Sequence, residues 1–204
     1  MGISIEELNS MQIDVLKEIG NIGAGNAATA LSKMISKRID MDVPKVNILE
    51  FKNVPELVGG PETEVVGIYF KVNGDIGGSI MVIIDKKSAR KLTNLLMDRN
   101  SEEDDLDEMD LSALQEVGNI LSGSYLSSLS TLTNLNLTVS VPSLAVDMAG
   151  AIISVPVILF GQVGDKVMLI ETYFSEGTYH VKSNFFLIPH EDSFEILLKS
   201  LGVF

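Results

Sequence analysis

The strongest constraint on the fold of this chain is a pattern that occurs twice. Asp14-Val15-Leu16-Lys17-Glu18-Ile19-Gly20-Asn21 returns 98 residues later as Ser112-Ala113-Leu114-Gln115-Glu116-Val117-Gly118-Asn119. The register holds beyond the pattern. Ile22 matches Ile120, Gly25 matches Gly123, and Pro44 matches Pro142, with 22 residues between Asn and Pro in each copy. A duplicated chain presents the same chemical groups twice. The natural division is into two repeats, about 4–97 and 110–204, sharing one core in a single domain.

The stretch 4–37 has helical spacing. Leu8, Met11, Val15, Ile19 and Ile22 recur every three or four residues, and Ser4 with Glu7 has the form of a capping box. Glycines at 20, 23 and 25 each cost roughly 1 kcal/mol in a helix interior against alanine. Either the helix bends or breaks there, with a second stretch over 24–39, or another backbone approaches closely. Residues 46–51 form a strand candidate, and 64–72 with 78–84 form a hairpin around Asn73-Gly74-Asp75. Residues 85–96 form a helix capped by Asp85.

The second half repeats the order. Residues 110–132 are helical. Strands are expected at 138–144, 151–160 and 165–172, with 161–165 as the hairpin turn, before the symmetry fails. Residues 173–188 add strand, and 190–201 a closing helix. The whole reads as α+β: internally duplicated, pseudo-twofold, with a shared antiparallel sheet and the two motif helices packed on its outside.

The segment 98–110, Asp-Arg-Asn-Ser-Glu-Glu-Asp-Asp-Leu-Asp-Glu-Met-Asp, reads as an acidic, solvated linker feeding the next helix. A calcium loop is the alternative, but the EF-hand spacing and its central glycine are missing.

Composition narrows the chemistry. With 15 Lys and Arg against 28 Asp and Glu, the formal charge is −13, which repels a phosphate backbone and argues against nucleic-acid binding. The chain has no cysteine, so disulfides, thiolate nucleophiles and cysteine-based metal sites are excluded. The two histidines, His180 and His190, lie far from the repeated motif. The N-terminal residues lack the features of a signal peptide, and no stretch is long enough to span a bilayer, so a cytoplasmic protein without membrane insertion is expected.

At 100° per residue, Asp14, Glu18, Asn21 and Gly25 fall within about 60° of one another, off the apolar stripe. Ser112, Glu116, Asn119 and Gly123 share that geometry. A glutamate can pair with a cation on another molecule, and an asparagine can donate and accept at once and so hold a water. That pair suits a reaction in which the partner supplies metal and electrophile and only a water must be aimed, as in phosphoryl transfer. Duplication alone could also preserve a purely structural motif, and the residues by themselves leave both readings open. A third reading takes Gly23-Ala24-Gly25-Asn26-Ala27-Ala28 as a dinucleotide fingerprint, but that motif needs a strand before it.

The twofold [Asp/Ser]-x-x-x-Glu-x-x-Asn with proline 22 residues on resembles the CheC/CheX/FliY family of chemotaxis phosphatases, over essentially the whole chain. Within it, the duplicated motif is most similar to the CheC members. CheX proteins are shorter with one motif, and FliY proteins are fused to a flagellar switch domain. The resemblance implies hydrolysis of the aspartyl phosphate on the response regulator CheY. The family's catalytic pair maps to Glu18 with Asn21 and to Glu116 with Asn119. It gives asparagine the attacking water and glutamate a contact with the regulator's lysine. No cofactor is implied for this chain, because the Mg²⁺ belongs to the regulator. Asp14, Ser112, Gly25 and Gly123 would support the helix face, and Pro44 and Pro142 would end helical segments and begin strands. A second implied partner is the deamidase CheD, with 142–150 and its single charge Asp147 as the candidate surface. A non-catalytic adaptor and a flagellar-switch scaffold are the rival functions.

Overall fold

In a computed structural model of the chain, which describes residues 9–160, 166–176 and 179–202, the first element is one unbroken helix, α1 (Ser10–Ile35). The expected Ser4 cap lies outside the described residues. Asn9 caps the helix instead. Its side chain accepts from the Gln12 backbone at 3.0 Å, while the Gln12 side chain accepts from the Asn9 backbone at 2.8 Å. The helix ends where Ser36 turns left-handed, short of the expected residue 39.

β1 (Asp40–Glu50) follows, then a short 3-10 turn and α2 (Val54–Leu57). The hairpin of β2 (Glu64–Gly74) and β3 (Gly78–Asp85) falls where the sequence placed it. It leads into α3 (Lys86–Leu96), capped by Asp85 through Ser88 N at 2.9 Å. The second half runs α4 (Glu108–Thr133), β4 (Leu137–Val139), β5 (Ser143–Met148), α5 (Ala149–Phe160), β6 (Lys166–Glu176), β7 (Tyr179–Pro189) and α6 (Glu191–Ser200).

The strands form one antiparallel sheet in the order β1-β6-β7-β3-β2, with β4 and β5 both paired along the free side of β2. Each half therefore donates its first strands to the outer strand of the other half's hairpin, and β3 and β7 join the two hairpins at the centre. The first half contributes one edge strand, β1, and the second contributes two, β4 and β5. The chain is α+β, and the two halves share the sheet.

The sheet has two covered faces. Ile80, Val82 and Ile84 of β3 point to a core shared with Leu16, Ile19 and Leu31 of α1, Leu92 of α3, Leu114, Val117 and Leu121 of α4, and Leu197 of α6. Met81 and Ile83 point the other way, to Val54 of α2 and Ile152 and Ile153 of α5. Alternating side chains, buried on both faces, give β3 its continuous apolar run.

Three sequence expectations change. Residues 151–160 are helix, not strand. Ala149, Ile152 and Ile153 sit at i, i+3 and i+4 and pack on the second face of the sheet, and a short apolar run has no periodicity that separates the two states. The turn expected at 161–165 lies outside the described residues. The hairpin of the second half is instead β6 with β7, as β2 with β3 is that of the first. Pro44 does not start a strand. It lies inside β1, where the register with β6 shifts between Asp42 and Lys45, and a bulge is where a strand tolerates proline. Pro142 does stand directly before β5.

The acidic segment is only partly a solvated linker. Glu102, Glu103, Asp104 and Asp105 are exposed, but Asp110, in the first turn of α4, is completely buried. Arg90 of α3 donates to Asp110 Oδ2 at 2.7 Å and to the Glu103 carbonyl at 3.1 Å, and Arg99 pairs with Asp110 Oδ1. Burial alone would push the Asp110 carboxyl up. The Asp107 backbone N–H, Thr93 and Arg90 together outweigh it and hold the group below the usual carboxylate range.

Candidate functional site

Helices α1 and α4 have the same length and the same buried face. All eight buried positions of α1 (Gln12, Leu16, Ile19, Gly20, Gly23, Ala24, Ala27 and Leu31) have a buried counterpart in α4, 98 residues on. One periodicity thus orients both helices, and the polar residues fall on the opposite side. Asp14, Glu18, Asn21 and Gly25 are all exposed, as are Ser112, Glu116 and Gly123, while Asn119 is half-exposed.

In the second copy the Asn119 amide donates to Glu116 Oε2 at 3.4 Å. In the first copy Glu18 and Asn21 have no hydrogen-bond partner among the described residues. Both pairs are therefore open to an outside molecule, with a carboxylate and a carboxamide about one turn apart.

The glycines divide by position. A Cβ on Gly20 would lie 3.3 Å from Val43, and one on Gly118 would lie 3.0 Å from Ile68, so these two let the helices settle onto the strands. Gly23 meets the other motif helix. A Cβ there would fall 2.8 Å from Tyr125 Cδ1 and 3.1 Å from its Cα, so another backbone does approach. Nothing lies within 4 Å of a Cβ on Gly25 or Gly123. Those two keep the outer ridge low instead of serving any contact inside the chain.

Tyr125 organises the crossing of the two helices. Its ring stacks on Phe185 at 4.4 Å, and its hydroxyl lies 3.3 Å from Thr172 Oγ1. Burial pushes its pKa up to about 12, only partly offset by that hydrogen bond. Asn26 adds a bond to Ser128 Oγ across the crossing at 3.3 Å. Sequence reading missed Tyr125, although its register is visible: it occupies the position of Ala27 in the first copy, where a large ring replaces a methyl.

The structure leaves Asp147 exposed on β5, among Val146 at 37 % and Met148 at 53 % exposure. Its counterpart Leu49 is half-buried against the second core, so this surface is not duplicated. The dinucleotide reading lacks its strand, because Gly23 and Gly25 lie inside α1. Among the described residues no three His, Asp or Glu side chains gather as a metal site, and no helix is long and apolar enough to cross a membrane. A groove of about 1080 Å³ between α2, the start of α3 and residues 101–104 touches neither motif pair.

The pattern of known proteins agrees with the duplicated geometry. The model of the CheC-like family matches residues 11–48 and again 109–146, one match for each motif helix and the strand segment after it. The CheY-P phosphatase CheC of Bacillus subtilis is 38 % identical over 196 residues, 94 % of either chain. The flagellar motor switch phosphatase FliY of the same organism is 29 % identical over 68 % of this chain, which spans only 36 % of that protein. The crystal structure of Thermotoga maritima FliY superposes with a TM-score of 0.78 at 27 % identity, covering 97 % of this chain and 98 % of that one. By sequence over nearly its whole length, by both motif copies and by fold, the chain belongs to the CheC-like family.

Proposed function

We propose that this chain is a phosphatase for the aspartyl phosphate of the response regulator CheY, with two sites built from Glu18 with Asn21 and Glu116 with Asn119. The carrying observation is that both pairs reach solvent at the same register, Asn119 half-exposed and the other three exposed, on two helices where every buried position of the first has a buried counterpart in the second. A purely structural motif needs no exposed carboxamide at the same place twice. The name of the B. subtilis relative supports the substrate class.

The asparagine amide oxygen accepts a hydrogen bond from a water and steers the water oxygen to phosphorus, and both of the water's protons leave with the products. The oxygen attacks, the bond between phosphorus and the aspartyl carboxylate breaks, and inorganic phosphate leaves beside a free carboxylate. Mg²⁺ belongs to the regulator, where it offsets the charge on the phosphoryl oxygens and the leaving carboxylate. Glu18 and Glu116 pair with a cation of the regulator beside its phosphoryl group and fix the approach. No covalent intermediate forms on this chain.

Release of inorganic phosphate from phosphorylated CheY, with this protein substoichiometric, tests the reading. Many turnovers per chain are expected. Binding without turnover would leave a non-catalytic adaptor.

The second proposed partner is CheD, at the sheet edge formed by β5. The support is exposed Val146 and Met148 flanking one exposed charge, Asp147; methionine is enriched at protein contacts. Asp147→Ala should weaken CheD binding in a pull-down and leave CheY-phosphate turnover intact. Unchanged CheD binding would remove the assignment.

A further inference from the structure

Met11 and Met109 are each 67 % exposed, and they stand 98 residues apart at one register of the duplicated helix. One exposed methionine on a protein surface needs no explanation. Two at the same register do, because other positions of these helices outside the core have diverged: Asp14 corresponds to Ser112, Lys17 to Gln115, and Lys33 to Thr131. Neither methionine packs on the core.

Their position ties them to the site. At 100° and 1.5 Å per residue, Met11 lies about 20° around the helix and about 10 Å along it from Glu18, and about 80° around and about 15 Å along it from Asn21. Ile22, 39 % exposed, continues the same edge, with half-buried Ile120 as its counterpart. A standard protein interface covers about 800 Å² per partner, a disc of roughly 16 Å radius. Met11 therefore sits at the edge of such a disc centred on Asn21, where the rim of a partner protein whose acyl phosphate reaches Asn21 comes down.

We infer that Met11 and Met109 are the apolar anchors by which the phosphorylated partner protein docks at the two sites, and that they select a partner with an apolar surface beside its acyl phosphate. The inference rests on the proposed reaction. Methionine suits the task, since its unbranched thioether adapts to an irregular surface. A contact made equally in ground and transition states acts on KM and spares kcat.

The test uses the full chain and phosphorylated CheY. Asn119→Ala leaves only the first site reporting, and Asn21→Ala only the second. In the first background Met11→Gln, which keeps side-chain length and helix propensity, is expected to raise KM roughly tenfold at unchanged kcat, and Met11→Leu to restore it. Met109→Gln and Met109→Leu should do the same in the second background. An unchanged KM, or a fall in kcat at constant KM, overturns the anchors. So does a shift of the chain from dimer to monomer on Met11→Gln, which would mark a self-association face. If the double variant Asn21→Ala/Asn119→Ala keeps full turnover, the site assignment itself fails, which is a separate result.

Discussion

Two glycines, two residues apart on α1, should respond to alanine with opposite signs. Alanine in place of glycine in a helix interior gains about 1 kcal/mol from propensity alone. At Gly25 nothing lies within 4 Å of the added methyl, so the gain should appear in full. For a chain of this size that is a rise in Tm of about 2–4 °C. At Gly23 the methyl would meet Tyr125 Cδ1 at 2.8 Å and its Cα at 3.1 Å. The ring cannot swing away, because Phe185 stacks on it and Thr172 holds its hydroxyl. Overpacking of this kind costs about 1–3 kcal/mol, which leaves Gly23→Ala up to about 2 kcal/mol less stable and several degrees lower in Tm. Activity should divide the other way for Gly25. Its methyl stands on the outer ridge about 6 Å along the axis from Asn21, so first-site turnover, read in the Asn119→Ala background, should fall while stability rises. Urea or thermal unfolding and phosphate release on the two single variants measure both effects. A stabilised Gly23→Ala, or a destabilised Gly25→Ala, would refute the division of these glycines into a packing position and an open one.

Asn21→Ala or Asn119→Ala alone should leave turnover from the other copy while largely sparing binding, and the double variant should have none; each tenfold loss in rate corresponds to about 1.4 kcal/mol of barrier. Glu18→Ala with Glu116→Ala should weaken association with phosphorylated CheY and flatten its dependence on salt, seen in binding isotherms at several ionic strengths. Arg90→Met leaves Asp110 buried with only part of its compensation, so a loss of roughly 3 kcal/mol is expected in denaturant unfolding. The Asp110 pKa is lowered on folding, so its contribution is present above the unfolded value and lost as pH falls through the lower folded one. Wild type should therefore lose that stability only below about pH 4, and Arg90→Met should lose less of it. Tyr125 has the opposite sign. With its folded pKa near 12, its contribution is complete below about pH 10 and disappears as pH rises through 12, and Tyr125→Phe should remove that alkaline limb of the unfolding curve.

The sequence by itself determined the local features. The 98-residue register gave two helices with the same face, and helical periodicity alone placed Glu18, Asn21, Glu116 and Asn119 on their exposed side. It also located the β2–β3 hairpin and the Asp85 cap, because turn and cap chemistry depend on neighbours in the chain. What only the tertiary structure decided is what depends on distant residues. Residues 151–160 are apolar apart from Ser154 and Pro156, so no period distinguishes strand from helix until the second face of the sheet supplies a surface for Ile152 and Ile153. The exchange of edge strands between halves, with β1 on β6 and β5 on β2, joins residues more than 70 positions apart and leaves no local trace. Asp110 reads as one more charge in an acidic run, and only the arrival of Arg90 and Arg99 makes its burial tolerable. The exposure shared by Met11 and Met109 was likewise hidden, because the 3–4 spacing assigned Met11 to the apolar stripe. The angular position that puts it outside the core emerges only once the sheet fixes which side of the helix is covered.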